Sequence, residues 1–282
     1  MIKINNLDFS YKNTSLFHDL DMNLDQGNIY GLLGRNGAGK TTLLKLMTGL
    51  RFPDSGKIIT GGFTASSRPK EMLEKICFIP EEIWVPPLTA KKYVQRYSRC
   101  YPSFSHELLK THIEEFEVPY QRNLNKLSLG QKKKFLLAFG FASQCELLIL
   151  DEPTNGLDIP SKSIFRRLVA EYIKDEQTVI ISTHQVRDVE NLIDPIIILD
   201  EGKVIFQQYV NALQDKFRIV NMKEISDTEK ILYSEKTLGG YSVVMEADTE
   251  TEAEQLDIET IFNIAVNNPD KLNKIMKGED NE

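Results

Sequence analysis

The 282-residue sequence predicts an α/β fold built on a parallel sheet, on three observations. Gly34-Arg35-Asn36-Gly37-Ala38-Gly39-Lys40-Thr41 fits the phosphate-binding pattern G-x-x-x-x-G-K-S/T without a mismatch. The apolar run Leu147 to Leu150 ends in Asp151-Glu152, as expected of a strand buried on both faces that delivers carboxylates to its C-terminal edge. Strand-like and helix-like stretches alternate on either side of a more helical middle.

Taken in order, Ile2, Ile4 and Leu7 set between polar residues read as a half-buried strand. Asn28-Ile29-Tyr30-Gly31-Leu32-Leu33 reads as a buried strand, and Thr41 to Leu50 as a helix. The glycines between them permit a tight turn whose N–H groups face a polyphosphate, where the helix N-terminus adds its positive end. Ala90 to Arg99 and His106 to Phe116 have helical patterns, punctuated by Pro86-Pro87 and Pro102. The α/β pattern resumes at Asp151: Pro160 to Lys174 a helix, Thr178 to Ser182 and Pro195 to Asp200 strands. Glu201-Gly202 makes a tight turn into Lys203-Val204-Ile205-Phe206.

After residue 209 no motif carries chemistry. Ile231 to Glu235 and Tyr241 to Glu246 are expected to form a hairpin around Gly239-Gly240. Ile258, Ile261, Phe262 and Ala265 suit one face of a short helix, and Lys277 to Glu282 is expected to be disordered.

The chemistry follows from residue types. Lys40 is expected to reach β- and γ-phosphates and Thr41 to hold Mg²⁺. Asp151 is expected to hold the same ion through its water shell, and Glu152 to polarise an attacking water. Lys132-Lys133-Lys134 reads as the start of a helix with its charges solvated or near phosphate.

Composition narrows the class. The net charge is −7, yet residues from Asn221 onward hold 15 acids against 6 bases, leaving the rest near neutral. That argues against a broad basic nucleic-acid surface. Cys77, Cys100 and Cys145 show neither metal spacing nor a disulfide framework. Met1-Ile2-Lys3-Ile4-Asn5-Asn6 is not the apolar core of a secretory signal, and no apolar run is long enough to span a bilayer. A membrane role therefore calls for a separate spanning partner.

With these residues in hand, the chain resembles the nucleotide-binding subunits of the ATP-binding cassette (ABC) family over roughly residues 1 to 208. Tyr11 in Phe9-Ser10-Tyr11 matches the aromatic that stacks on adenine. Gly34 to Thr41 matches Walker A, with Asn36, Gly37, Ala38, Gly39, Lys40, Thr41 and the following Thr42 as nucleotide contacts. Leu127-Ser128-Leu129-Gly130-Gln131 matches the signature written LSGGQ, and Leu147 to Glu152 matches Walker B. Gly156-Leu157-Asp158 matches the D-loop, and His184 in Ser182-Thr183-His184 the switch histidine.

Two positions depart from the pattern. Leu129 replaces the first signature glycine, pointing away from nucleotide if Ser128 and Gly130 keep their contacts. Glu81, in Phe78-Ile79-Pro80-Glu81-Glu82, stands at the Q-loop glutamine and offers Mg²⁺ an equivalent oxygen.

The resemblance implies a P-loop NTPase cassette: a RecA-like core, N-terminal antiparallel β strands and an inserted helical subdomain at about 82–146. Residues 209–282 would be a small acidic C-terminal extension, an accessory or dimerisation element. It implies an ATPase using ATP and Mg²⁺, with Glu152, His184 and Lys40 catalytic. Two subunits, copies or paralogues, would meet head to tail, each lending Ser128 and Gly130, with Gln131 and Asp158 beside them, to ATP held by the other. A multi-span permease would be the further partner, with no nucleic acid, placing the chain in the cytoplasm on the inner face of the cell membrane. The segment Tyr101-Pro102-Ser103-Phe104, the Q-loop and the single cassette are similar to bacterial exporter-type subunits. Import stays open, as do a non-transport ABC ATPase and a weakly hydrolysing regulatory subunit.

Overall fold

The computed structural model describes residues 1–282 except 13, 215, 226–230, 247–256, 270–271, 273, 275 and 277–282. The expected disorder at Lys277 to Glu282 lies outside the described residues.

The chain begins with strands β1 (Ile2–Tyr11), β2 (Thr14–Leu24) and β3 (Ile29–Leu33), then helix α1 (Lys40–Met47), β4 (Ser55–Thr60), β5 (Phe63–Thr64), α2 (Lys70–Leu73) and β6 (Ile76–Ile79). Helices α3 (Ala90–Tyr97), α4 (His106–Glu115) and α5 (Leu129–Ala142) follow. Then come β7 (Leu147–Asp151), α6 (Ile159–Tyr172), β8 (Thr178–Thr183), β9 (Ile196–Asp200) and β10 (Lys203–Gln208). The last elements are α7 (Val210–Gln214), β11 (Phe217–Met222), β12 (Ile231–Thr237), β13 (Gly240–Glu246) and α8 (Ile258–Asn267).

The central sheet runs β10-β9-β3-β8-β7-β6, parallel except for the antiparallel edge strand β10. All residues of β7 and β8 are buried, as their apolar and β-branched composition requires of inner strands. Register then does the positioning: Leu33 of β3 stands opposite Thr183 of β8, and Asp151 of β7 opposite Ser182. The loops that follow these three strands therefore meet at one edge, where ligands of open α/β sheets bind.

A second, four-stranded antiparallel sheet, β2-β1-β4-β5, covers α1. Ile2 and Ile4, then Leu7 and Phe9 beyond an irregularity in the strand, enter a core shared with Leu43, Leu44 and Met47 of α1. This sheet brings Tyr11, the last residue of β1, beside the phosphate loop. α1 stops at Met47, short of the expected Leu50, because Gly49 turns left-handed (φ 70°).

The helical middle is built on α5. Ser128 caps it: its hydroxyl accepts from Gln131 N–H while the Gln131 side chain accepts from Ser128 N–H. The helix then dives inward, with Phe135, Leu137, Ala138 and Phe141 essentially inaccessible. Tyr93 of α3 meets Phe135 and Phe139 edge-on at 5.2 and 5.3 Å.

The expected hairpin forms as β12–β13. The sequence reading missed its third strand, β11, which pairs with β13 to give the sheet β11-β13-β12. Its alternation of Phe217, Ile219 with polar neighbours carries the strand signal. Helix α8 buries Ile258, Ile261, Ile264 and Ala265 in the same core as Phe217 and Val244.

Candidate active site

Twelve residues from five segments line one cleft of about 530 Å³, within the usual range for small-molecule sites. Tyr11, Asn36, Gly37, Gly39, Lys40, Thr41, Thr42, Glu81, Glu152 and His184 are there as expected, joined by Leu16 and Arg35. Ala38 lies buried beneath the loop. Gly39 needs to be glycine: its φ is 106°, and an added Cβ would come within 2.9 Å of the Phe17 ring.

Lys40 is 7 % exposed. Its Nζ donates to the Gly34 and Arg35 carbonyls at 2.7 and 3.3 Å and lies 3.8 Å from Glu152 Oε1. Burial pushes its pKa down, opposed by the charges of Glu152, Asp151 and Glu81. An anionic ligand above the loop would favour the charged form further.

Asp151 is held on both oxygens. Thr41 Oγ1 donates to Oδ2 at 2.7 Å and Ser182 Oγ to Oδ1 at 2.5 Å. A hydroxyl and a carboxylate meeting at the phosphate loop are oxygen donors that suit a hard cation. Among the described residues no cluster of three His, Cys, Asp or Glu side chains forms a cage. Glu81, at the cleft rim, accepts from Asn155 Nδ2 at 3.3 Å.

Glu152 is 3 % exposed and sits in left-handed backbone at φ 47°, unusual for a residue with a Cβ. Its N–H donates to Ser182 O at 3.0 Å. Its Oε2 accepts from Thr183 Oγ1 at 3.3 Å. His184 Nδ1 lies 2.7 Å from Oε1, where an Nδ1–H donates to the carboxylate.

Lys133 corrects the reading of the lysine run. It is 3 % exposed, and its Nζ donates to the Glu152 carbonyl at 2.8 Å. Burial lowers its pKa, opposed by the charges of Glu81, Glu152 and Asp151. Lys134 pairs with Asp158 at 3.0 Å, with 17 % of its side chain exposed. A charge run alone does not reveal which member faces inward; the 3.6-residue period placing Lys133 near the face of Leu137 and Gly140 does. Ser182 and Thr183 were likewise missed as partners of the two acids.

Ser128, Gly130, Gln131 and Asp158 are not brought to this cleft by their own chain. Ser128 and Leu129 are exposed at the start of α5, and Leu129 keeps 61 % of its surface open. Gly130 packs against the D-loop, where an added Cβ would stand 3.0 Å from Gly156 O. Asp158 caps α6; its hydrogen bonds from Ser161 and Lys134 lower its pKa to about 2.

A family model of ABC transporters matches residues 17–155. The SkfA peptide export ATP-binding protein SkfE of Bacillus subtilis (strain 168) is 32% identical over 227 residues, covering 77% of this chain and 92% of its own. The chain belongs to the ATP-binding proteins of ABC transporters. It is an ATPase subunit, converting ATP and water to ADP and phosphate. The ABC transporter ATP-binding protein YdbJ of the same organism is 29% identical along 99% of this chain and 88% of its own, so that likeness runs through the C-terminal extension. The cassette fold is shared with a dimeric ATP-binding cassette solved in a post-hydrolysis state with ADP and Pi: TM-score 0.66, 23% identity, 74% of this chain and 98% of that one.

Proposed function

We propose that this ABC ATPase drives an export transporter, with ATP clamping two cassettes head to tail. The observation that carries this reading is the separation of the two halves of the site. The cleft holds the phosphate loop, Glu152 and His184, while Ser128 and Leu129 stand exposed at the start of α5, with the half-buried Gly130 beside them, outside it. Hydrogen-bond donors on an exposed helix start suit the phosphates of a nucleotide bound elsewhere. A second cassette, another copy or a paralogue, supplies that nucleotide. Charge-assisted bonds from both subunits then make ATP the joint, and hydrolysis removes it.

Within one cleft the roles follow from geometry. The phosphate-loop amides, Asn36 to Thr42, cradle the phosphates, and Lys40 turns from the Gly34 carbonyl to the β- and γ-oxygens. Thr41 and Asp151, with Glu81 at the rim, are the oxygens for Mg²⁺. When bound there, Mg²⁺ offsets the charge that develops on the phosphates. Glu152 accepts a hydrogen bond from the attacking water and orients it in line. His184, bonded to Glu152, faces the γ-phosphate. Tyr11 offers its ring to adenine, while Gln131 and Asp158 support Ser128 and Gly130 at the interface.

Residues 1–208 then form the working cassette and 209–282 an accessory extension. Among the described residues no helix is long and apolar enough to cross a membrane. The transport path belongs to a separate multi-span subunit, with this chain on its cytoplasmic side. Export is favoured by the likeness to SkfE, a peptide export ATP-binding protein. The test is co-purification of Glu152→Gln protein from detergent-solubilised native membranes with ATP. A stoichiometric multi-span protein supports transport; ribosomes, nucleic-acid proteins or bait alone, with normal ATP binding, contradict it.

A further inference from the structure

The C-terminal extension reaches the active site from behind. Helix α8 is capped by Asp257, whose side chain accepts from Thr260 N–H at 2.6 Å. Its first turn grips the segment that follows His184. Ile258 N–H donates to Glu190 Oε1 at 3.1 Å, and Arg187 Nε donates to Glu259 Oε2 at 2.8 Å. The Arg187–Glu259 pair is exposed and contributes little alone. The apolar contacts weigh more: Val186 and Val189 share one core with Ile258, Ile261 and Ile264, all nearly inaccessible.

That segment has little stiffness of its own. It is one 3₁₀ turn, Val186–Asp188, tied to the cassette by Lys162 Nζ donating to Asp188 Oδ2 at 2.7 Å. Yet it fixes the backbone from which the His184 ring must meet Glu152. Phe262, on the second turn of α8, lines a cavity of about 170 Å³ together with Arg35, Thr183 and His184. A residue of the extension and His184 thus border the same small space behind the phosphate loop, whose Gly34 and Arg35 line it too.

We propose that Phe262 is a positioning residue for ATP hydrolysis, through which the C-terminal extension holds the segment bearing His184 so that the imidazole meets Glu152. This rests on the reading of His184 as a participant in turnover. The phosphate loop follows β3, and Lys40 is held by the loop's own Gly34 and Arg35 carbonyls, so turnover responds to Phe262 more than ATP affinity does.

The test is a double-mutant cycle in the full chain: Phe262→Ala, His184→Ala and the pair, with Phe262→Leu as the variant that keeps apolar bulk. His184→Ala is expected to lower kcat by at least about tenfold. Phe262→Ala is expected to lower kcat about fivefold with KM for ATP within about twofold, and to add nothing in the His184→Ala background. Phe262→Leu recovers most of the loss. Wild-type turnover in Phe262→Ala beside an impaired His184→Ala overturns the proposal alone. So does a Phe262 effect that persists in full without His184. Wild-type turnover in His184→Ala overturns the reading of His184 itself.

Discussion

Lys133 donates from its Nζ to the main-chain carbonyl of Glu152 at 2.8 Å, inside the protein, five residues after the exposed Ser128 that caps the same helix. One helix therefore links the surface proposed to meet a second subunit to the backbone of the residue proposed to orient water. An ammonium donor to a buried carbonyl is among the stronger hydrogen bonds, about 1.5–3 kcal/mol, and without it the Glu152 carbonyl keeps only the 3.4 Å bond from Asn155 N–H. Against this, removing the buried charge relieves a desolvation cost, as its lowered pKa indicates. The two effects oppose each other in stability but not in turnover. Lys133→Met is expected to leave Tm nearly unchanged while kcat falls about tenfold, roughly 1.4 kcal/mol of activation free energy. Steady-state kinetics beside thermal melts check both halves.

Glu152→Gln keeps the shape of a side chain that is 3 % exposed, but one of its two acceptor oxygens, which meet Thr183 and His184, becomes a donor NH2. It loses the carboxylate that accepts from water. Turnover is expected to fall at least about 100-fold, the low end for loss of a general base, with ATP affinity retained. Unchanged phosphate release by the purified variant would remove Glu152 from this role.

Lys40→Ala takes away the one buried ammonium that lines the cleft beside the phosphate loop. A hydrogen bond to a charged group contributes about 1.5–3 kcal/mol, so ATP is expected to bind roughly 10- to 100-fold more weakly. Calorimetry reads this directly, and wild-type affinity would refute it.

The pKa of Asp158 is lowered from 3.8 to about 2 by its bonds from Ser161 and Lys134. A carboxylate depressed in the folded state stabilises fully above its unfolded value. The contribution is lost as pH falls through the window from 3.8 to about 2. Asp158→Asn, which keeps the capping oxygen, is expected to flatten the fall of Tm between those limits relative to wild type. Parallel acid limbs would show that the pairing is not formed.

The site was legible where chemistry demands particular residues at particular spacings. Gly34 to Thr41 and Asp151-Glu152 could be read as strand-end ligands because apolar runs announce buried parallel strands. Ser182 and Lys133 could not, since what makes them matter is a partner 31 or 19 residues away, set by strand register and helix packing. The fold followed the same division. The hairpin β12–β13 was visible from its Gly239-Gly240 turn, while β11 joins it through residues far apart in sequence. The end of α1 was misplaced because Leu50 continues the helical apolar spacing, yet Gly49 already turns the backbone left-handed.

In the proposed assembly ATP joins two cassettes through Ser128 and Gly130. Light scattering of purified Glu152→Gln protein, with and without saturating Mg-ATP, tests it most directly, using Glu152→Gln/Ser128→Arg as the control. Twice the mass of the chain is expected only with ATP, and only when Ser128 is intact. A single-chain mass at ATP concentrations shown by calorimetry to fill the site would contradict it.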